Sequence, residues 1–349
     1  MERALYGPDG FFVSGAGPAA HFRTSVHASP VFAACLVRQL EAVDSALGHP
    51  ARLDVVDVGA GRGELLRALL AQAAPELAAR IHPVAVELSP RPADLPPEID
   101  WQADIPDGIT GLLLATEWLD NVPVDVAVNS PDGWRLVLVD PTTGQETPGP
   151  PPSPAETTWL TTWWPPAPTP VIKEFVAAEG PDQDTSSLIN AEGEGGGRAE
   201  IGSGRDLAWA QAVGRVARGL ALAVDYGHLR ESRPADGTLT GYRGGRQVPP
   251  VPDGSCDVTA HVAMDSVASA GERVARCAYS LVSQREALRA LGADGGRPPL
   301  SLASGDPAGY LRALAAASAA AELTDPAGLG GHLWLRQPVG VALDAVVAR

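Results

Sequence analysis

Residues 53–64 read Leu-Asp-Val-Val-Asp-Val-Gly-Ala-Gly-Arg-Gly-Glu, and this stretch decides the fold. Its first half is a short run rich in valine, which predicts a buried strand. Alternate glycines follow, and we expect a helix over 62–74 directly after them. A strand, a glycine turn and a helix in this order are typical of an α/β domain built on a parallel sheet.

Outward from this unit, apolar runs and helical periodicity alternate along the chain. Further strands are predicted over 83–88, 111–116, 134–139 and 220–226. Further helices are predicted over 31–40, 205–218 and 306–323. Strands that alternate with helices predict a doubly wound parallel sheet whose two faces are covered.

Two segments of biased composition interrupt this pattern. Residues 141–170 contain 10 prolines, which predicts a surface linker or extended arm. Residues 180–204 contain 7 glycines, which predicts a loop. We therefore expect an N-terminal extension or lid over 1–50 and one α/β domain over 51–349 that carries both insertions. The pair Trp163-Trp164 either anchors a protein contact or folds back over the sheet as a lid.

Composition excludes several classes of protein. The chain has 349 residues with 26 Lys+Arg against 42 Asp+Glu, so its formal charge of −16 disfavours nucleic acid as a partner. Three cysteines without CxxC spacing support neither a disulfide framework nor a zinc site. Asp257 and His261 are four residues apart, but no third ligand has suitable spacing, so we expect no metal. No apolar run of about 18 residues and no signal-peptide pattern is present, which predicts a cytoplasmic protein without a membrane span.

The glycine turn carries the strongest sign of a ligand. Asp57, Gly59, Gly61 and Gly63 form the pattern DxGxGxG at the end of a strand. Glycine there lets a ligand approach the backbone closely, and the following helix begins with unpaired N–H groups. Glu87 lies at the end of the next strand, where a carboxylate can accept hydrogen bonds from both ribose hydroxyls. The pattern therefore predicts a cofactor that contains a nucleoside.

The spacing of the glycines distinguishes two such cofactors. A dinucleotide fingerprint reads GxGxxG, whereas here the third glycine comes one residue early. Asp57 would repel a pyrophosphate but would attract the cationic amino-acid end of S-adenosyl-L-methionine. We therefore predict S-adenosyl-L-methionine rather than NAD, bound by this turn with Arg62 included. The alternative is a tight strand–helix turn without a ligand.

Other stretches carry a family resemblance. Residues 5–12 read Leu-Tyr-Gly-Pro-Asp-Gly-Phe-Phe, 22–25 read Phe-Arg-Thr-Ser, 117–124 read Glu-Trp-Leu-Asp-Asn-Val-Pro-Val, and 257–262 read Asp-Val-Thr-Ala-His-Val. With the glycine turn, these stretches resemble the MidA family of class I S-adenosylmethionine-dependent methyltransferases. Ordered matches run from about residue 5 to about residue 331, which is nearly the whole chain.

This resemblance implies a Rossmann-like class I methyltransferase fold with S-adenosyl-L-methionine as cofactor and Thr24 and Ser25 beside it. It also implies a protein substrate, because the family's mitochondrial relative methylates an arginine of a respiratory complex I subunit. The chain departs from the family at 20–22 and 26–28, so cofactor binding carries over more directly than the identity of the acceptor. A small-molecule methyltransferase and a cofactor-binding assembly factor without turnover remain alternatives.

Candidate catalytic residues follow two predicted strands. Glu117 and Asp120 follow the third, and a helical turn would bring both carboxylates to one side to hold a guanidinium. Glu117 could instead cap the next turn. Tyr226 and His228 follow the strand over 220–226, where Tyr226 could pack on the acceptor and His228 could accept its proton. A structural role for His228 is the alternative.

Overall fold

The computed structural model describes residues 1–14, 25–165, 197–293 and 295–344. Its strands are β1 (Leu53–Val58), β2 (Ile81–Val86), β3 (Asp100–Gln102), β4 (Ile109–Thr116), β5 (Asp125–Ser130), β6 (Gly133–Val139), β7 (Glu146–Pro148), β8 (Arg198–Ile201), β9 (Val216–Asp225), β10 (Gly227–His228), β11 (Thr240–Arg243), β12 (Arg246–Val248), β13 (Asp257–Thr259), β14 (Val262–Ala263), β15 (Ser280–Ser283) and β16 (Leu333–Val339). Its α-helices are α1 (Glu2–Tyr6), α2 (Phe11–Ser14), α3 (Ser25–Ala28), α4 (Pro30–Ala46), α5 (Glu64–Gln72), α6 (Pro75–Ala78), α7 (Pro154–Trp163), α8 (Ser203–Gly214), α9 (Met264–Ala275), α10 (Gln284–Ala290), α11 (Leu300–Gly305) and α12 (Pro307–Leu323). Short 3-10 helices cover Leu119–Asn121, Arg230–Ser232 and Leu329–Gly331.

The central sheet has the strand order β15-β16-β9-β4-β1-β2-β3. Strands β3, β2, β1, β4 and β9 run parallel, while β16 is antiparallel to both β9 and β15. Strand β1 is the first strand of this sheet along the chain. Strands β2 and β3 lie on one side of it, and β4, β9, β16 and β15 lie on the other. This confirms the doubly wound sheet that the sequence predicts.

The carboxyl ends of the parallel strands meet at one edge of this sheet. Val58 lies opposite Val86 of β2 and Ala115 of β4, and Thr116 lies opposite Val224 of β9. The residues that follow β1, β2, β4 and β9 are therefore brought to the same edge. Open α/β sheets bind ligands in the crevice at such an edge.

The two faces of the sheet are both covered by helices. Val55 and Leu112 point to one face and share a core with Phe32 of α4. Val56 and Leu113 point to the other face and share a core with Trp209 of α8. This burial on both faces explains why the strands are continuous apolar runs rather than alternating ones.

Strand β6 lies outside the central sheet. The prediction of a strand over 134–139 is confirmed, but β6 pairs antiparallel with β5 in a four-stranded sheet of order β7-β6-β5-β8. Only two residues connect β5 and β6, and so short a connection permits an antiparallel hairpin but no parallel crossover.

The proline-rich segment contains a helix, so the prediction of a linker or extended arm over 141–170 is wrong there. Helix α7 begins with a capping box from Ser153 and Glu156 and has Pro154 in its first turn, where proline is tolerated. The next proline, Pro165, follows the helix, so no proline interrupts it. Trp164 is buried, which supports the alternative that this tryptophan folds back onto the domain.

The remaining boundaries differ by a few residues. Helix α8 begins and ends earlier than predicted, since 216–218 already belong to β9. In the glycine-rich segment, 198–201 form β8 rather than loop, and 180–196 lie outside the described residues. Within the described ranges, no helix combines the length and apolarity that a membrane crossing needs. The division into an extension over 1–50 and a domain over 51–349 stays a prediction.

Candidate functional site

The glycine turn between β1 and α5 adopts backbone conformations that favour glycine. Gly59, Gly61 and Gly63 have φ angles of 74°, 58° and 80°, which residues with a Cβ rarely adopt. Space is also limited, because a Cβ on Gly63 would lie 2.6 Å from Leu95 Cδ1. The turn thus keeps its backbone, rather than side chains, at the carboxyl edge of the sheet.

Glu87 ties this turn to the end of β2. Its Oε2 accepts a hydrogen bond from the Gly61 N–H at 3.0 Å, and its Oε1 accepts from Leu88 and Ser89 N–H at 2.8 and 3.1 Å. A carboxylate offers about four acceptor positions. The three backbone bonds fix the Glu87 carboxylate beside the glycine turn and leave capacity for a further donor such as a ribose hydroxyl.

Asp57 is a buried carboxyl beneath the same turn. Its Oδ1 has no hydrogen-bond partner within the described residues. Burial, followed by the charges of Glu64 and Glu87, raises the pKa of Asp57 to about 8. A cation near this carboxyl would stabilise its ionised form, so the site suits the positively charged end of an adenosyl amino acid.

A cavity of about 500 Å³ opens beside the turn and Glu87. This volume lies within the range of about 300–1,000 Å³ typical of sites for small molecules and cofactors. Its lining residues are Tyr6, Phe12, Val58, Gly59, Gly61, Arg62, Glu64, Val86, Glu87, Leu88, Ser89, Pro90, Pro92, Ala103, Asp104, Ile105, Glu117, Trp118, Asn121, Gln211 and Arg215. Five of the predicted site residues therefore line one cavity: Gly59, Gly61, Arg62, Glu87 and Glu117.

Several lining residues are not among the predicted site residues. Asp104 follows β3 at the same edge, and a carboxylate there can accept a hydrogen bond from an adenine amino group. It escapes prediction because β3 is three residues long and has no apolar run. Tyr6 and Phe12 come from the N-terminal helices, and their rings stack at 5.6 Å between centroids. Their only sequence signal is that both fall in the stretch 5–12.

Glu117 follows β4 in a strained backbone conformation. Its φ is 51°, in the left-handed region that costs a residue with a Cβ about 1–2 kcal/mol. Its N–H donates to the Val224 carbonyl at 2.7 Å, and its Oε1 accepts from the Ser25 N–H at 2.8 Å. Such strain often accompanies functional positions, and here it accompanies a carboxylate on the cavity wall.

Asp120 lies in the 3-10 helix that follows Glu117, but it points into the protein. It is 1% exposed and does not line the cavity. Its carboxylate accepts hydrogen bonds from the Tyr226 hydroxyl, from Thr259 Oγ1 at 2.8 Å and from Asn121 Nδ2 at 2.9 Å. The expectation that Glu117 and Asp120 face one side together is therefore corrected, because the 3-10 turn buries Asp120.

A buried arginine and a second aspartate hold this turn. Asp225 accepts hydrogen bonds at Oδ2 from the N–H groups of Leu119 and Asp120, at 3.0 and 3.2 Å. Arg205 donates to the carbonyls of Asp120, Val122, Ala260 and His261. Burial, then the charge of Asp120, raises the pKa of Asp225 well above its usual range.

Tyr226 and His228 follow β9 as predicted. The Tyr226 hydroxyl donates to Asp120, and burial, followed by the charges of Asp120 and Asp225, raises the pKa of this tyrosine well above its usual value. Arg233 Nη1 donates to His228 Nδ1 at 2.6 Å, and burial with the Arg233 charge lowers the pKa of His228 to about 3. His228 is thus neutral at physiological pH with Nδ1 already accepting a bond. Its role as a proton acceptor stays a prediction, and these contacts weigh against it.

The two site residues predicted from the N-terminal stretch are Thr24 and Ser25, and the structure describes one of them. Thr24 lies outside the described residues. Ser25 is buried and contacts Glu117 through its N–H, and its hydroxyl lies 3.3 Å from Gln284 Nε2. Ser25 therefore touches the cavity wall through Glu117 without lining the cavity itself.

Several known proteins are similar to this chain. The family model described as "Putative S-adenosyl-L-methionine-dependent methyltransferase" matches residues 35–281. The chain is also similar to the Danio rerio mitochondrial protein arginine methyltransferase NDUFAF7, with 27% identity over 88% of this chain and 75% of that protein.

Two solved structures from Burkholderia thailandensis have a similar fold. One is bound to S-adenosyl-homocysteine and has a TM-score of 0.75 and 24% identity. The other is a native crystal structure with a TM-score of 0.72 and 25% identity. Each alignment covers 100% of this chain and 88% of the other. The class I methyltransferase fold is thereby confirmed.

Proposed function

We propose that this chain, which belongs to the family of S-adenosyl-L-methionine-dependent methyltransferases, methylates an arginine of a protein substrate. Family membership follows from the match over 35–281 and confirms the resemblance to the MidA family. The chain is accordingly a methyltransferase with S-adenosyl-L-methionine as its cofactor. The identity of the acceptor is the part that we propose.

The similarity to NDUFAF7 carries the proposal of an arginine acceptor, because that relative is a protein arginine methyltransferase and aligns with 88% of this chain. Two properties of the chain support it. Its formal charge of −16 favours a cationic partner surface. The Glu117 carboxylate on the cavity wall is the kind of group that holds a guanidinium.

The cofactor would lie against residues from three strand ends. Glu87 would accept hydrogen bonds from the ribose hydroxyls, the backbone at Gly59 and Gly61 would lie against the ligand, and Asp57 would offset its cationic end. Asp104 would accept from the adenine amino group. When bound, the cofactor would supply the sulfonium methyl carbon that replaces one proton of an arginine nitrogen, with S-adenosyl-homocysteine as the leaving group and solvent as the acceptor of the proton.

On the acceptor side, the main task of the protein is alignment, because in-line displacement requires the nitrogen lone pair to face the methyl carbon. Glu117 would accept N–H bonds from the guanidinium and keep its positive charge away from the attacking nitrogen. The Ser25 N–H bond fixes the Glu117 carboxylate for this purpose.

One experiment distinguishes the three candidate activities. The purified protein is incubated with S-adenosyl-L-methionine labelled in its methyl group and with a lysate that comes from cells lacking this protein and is depleted of its own methylation activity. Label in protein arginine supports the proposal, whereas label in a small-molecule fraction identifies a small-molecule methyltransferase. Label in neither fraction, together with cofactor binding in calorimetry, identifies a cofactor-binding protein without turnover.

A further inference from the structure

Asp257, in strand β13, is a buried carboxyl without a partner. It is 0% exposed, and neither of its carboxyl oxygens has a hydrogen-bond partner within the described residues. Burying an unpaired carboxylate is costly, so such groups are usually bound to a cation or to several donors. The described residues supply neither, so both carboxyl oxygens of Asp257 can accept hydrogen bonds from a group that binds there.

The geometry of β13 places this carboxyl beside the Asp120 network. Alternate side chains of a strand share one face, so Asp257 and Thr259 point the same way. Thr259 Oγ1 lies 2.8 Å from Asp120 Oδ2 and 2.6 Å from the Tyr226 hydroxyl. The charge of Asp120 also acts on Asp257. Asp257 therefore faces the same buried region as Asp120.

Tyr6 connects this region to the cofactor cavity. Its ring lines the cavity, and its hydroxyl donates to the Asn121 carbonyl at 3.2 Å. Burial, followed by the charges of Asp120, Glu87 and Asp257, raises the pKa of Tyr6. Tyr6 therefore contacts the cavity with its ring and the 3-10 turn that carries Asp120 with its hydroxyl.

We propose that Asp257 is an acceptor-binding residue that receives the guanidinium of the substrate arginine; this inference rests on the proposed function. Asp120 already accepts three hydrogen bonds from the protein, whereas neither oxygen of Asp257 has a partner within the described residues. A guanidinium has five N–H donors and can therefore pair with Asp257 more readily than it can displace the partners of Asp120. Because Asp257 has no exposed surface, binding of the acceptor there requires a neighbouring side chain such as Tyr6, which lines the cavity, to move.

The test compares Asp257→Asn with Asp132→Asn, a matched control at an exposed position in the β5–β6 turn. Both are given labelled S-adenosyl-L-methionine and lysate, and methylarginine in protein is measured. We expect Asp257→Asn to lower the initial rate at least about tenfold, as loss of a charge-assisted pair does, and Asp132→Asn to match the wild type. Affinity for S-adenosyl-homocysteine and the melting temperature should not fall, because the Asp257 carboxyl has no hydrogen-bond partner within the described residues that the change to Asn would remove.

A second measurement separates this inference from the proposed function. The protein loaded with S-adenosyl-homocysteine is titrated with N-acetyl-arginine methylamide and with the neutral analogue N-acetyl-citrulline methylamide. Asp257 as a guanidinium site predicts a preference for the arginine probe that Asp257→Asn and Asp257→Ser both lose. Wild-type rates in either variant overturn the inference while arginine methylation stands. If the wild type labels no arginine, the proposed function fails, and the titration alone decides whether Asp257 binds a guanidinium.

Discussion

Replacing Glu117 by glutamine removes one negative charge from the cavity wall with almost no change in shape. The amide oxygen of Gln can still accept the Ser25 N–H bond that Glu117 Oε1 accepts at 2.8 Å. The strained φ of 51° is the same for both residues, so the fold around position 117 should persist. The variant therefore isolates the contribution of the charge.

The expected loss follows from the strength of a charge-assisted hydrogen bond. Such bonds contribute about 1.5–3 kcal/mol, which corresponds to about 10- to 150-fold in kcat/KM. The assay is the initial rate of label transfer from S-adenosyl-L-methionine into lysate protein, with cofactor affinity measured by calorimetry. Glu98→Gln is the matched control, because Glu98 is exposed and lies outside the cavity lining. If Glu117→Gln weakened cofactor binding and spared turnover, Glu117 would belong to the cofactor site and our assignment would be refuted.

Three further changes test other parts of the account. Gly61→Leu should abolish cofactor binding in calorimetry, because the added side chain would occupy space at the cavity wall. The chain should stay folded, because the backbone strain at this position costs only about 1–2 kcal/mol; unchanged binding would exclude the turn as the site. Asp120→Asn should lower the melting temperature, because it weakens the hydrogen bonds from Tyr226 and Thr259, and any loss of turnover should add to that of Glu117→Gln, because Asp120 does not line the cavity; a combined loss well below the sum would show that both carboxylates act on one guanidinium. The contribution of Asp57 and Asp257 to the free energy of unfolding should fall as pH rises from 5 to 7 in denaturant titrations without cofactor. In the folded chain the pKa values of Asp57 and Asp257 are about 8 and about 7, above the value of about 3.9 in the unfolded chain. The folded state therefore binds more protons over this range, and each carboxyl lowers the free energy of unfolding by up to about 1.4 kcal/mol per pH unit. Because His228 and His332, with pKa values lowered to about 3 and about 4, contribute the opposite slope below about pH 6.5, the wild type is compared with Asp57→Asn, and an unchanged slope in that variant would contradict the raised pKa of Asp57.

Sequence predicts the central sheet well because its signal is local. The runs that form β1 and β4 are apolar on both faces. The turn after β1 has positive φ angles that only glycine adopts without strain. The positions of Glu87 and Glu117 at the carboxyl edge are also predictable, because each residue directly follows a strand of the parallel sheet.

In other regions the prediction from sequence is wrong, either because the composition suggests another structure or because contacts between distant residues determine the structure. The density of prolines over 141–170 hides α7, because the prolines lie before or at its first turn and after its end rather than inside it. The burial of Asp120 depends on Tyr226 and Thr259, which are 106 and 139 residues away along the chain. No local pattern reports such contacts, so the spacing of Glu117 and Asp120 wrongly suggests one shared face.

The identity of the methylated residue tests the central claim most directly. Lysate protein labelled by the wild-type enzyme is hydrolysed to amino acids, and the labelled amino acid is identified by chromatography and mass spectrometry. The account predicts methylarginine, absent when the enzyme is left out and reduced at least about tenfold with Glu117→Gln. Label on lysine or on a carboxyl group would contradict the arginine assignment and leave a methyltransferase with another acceptor.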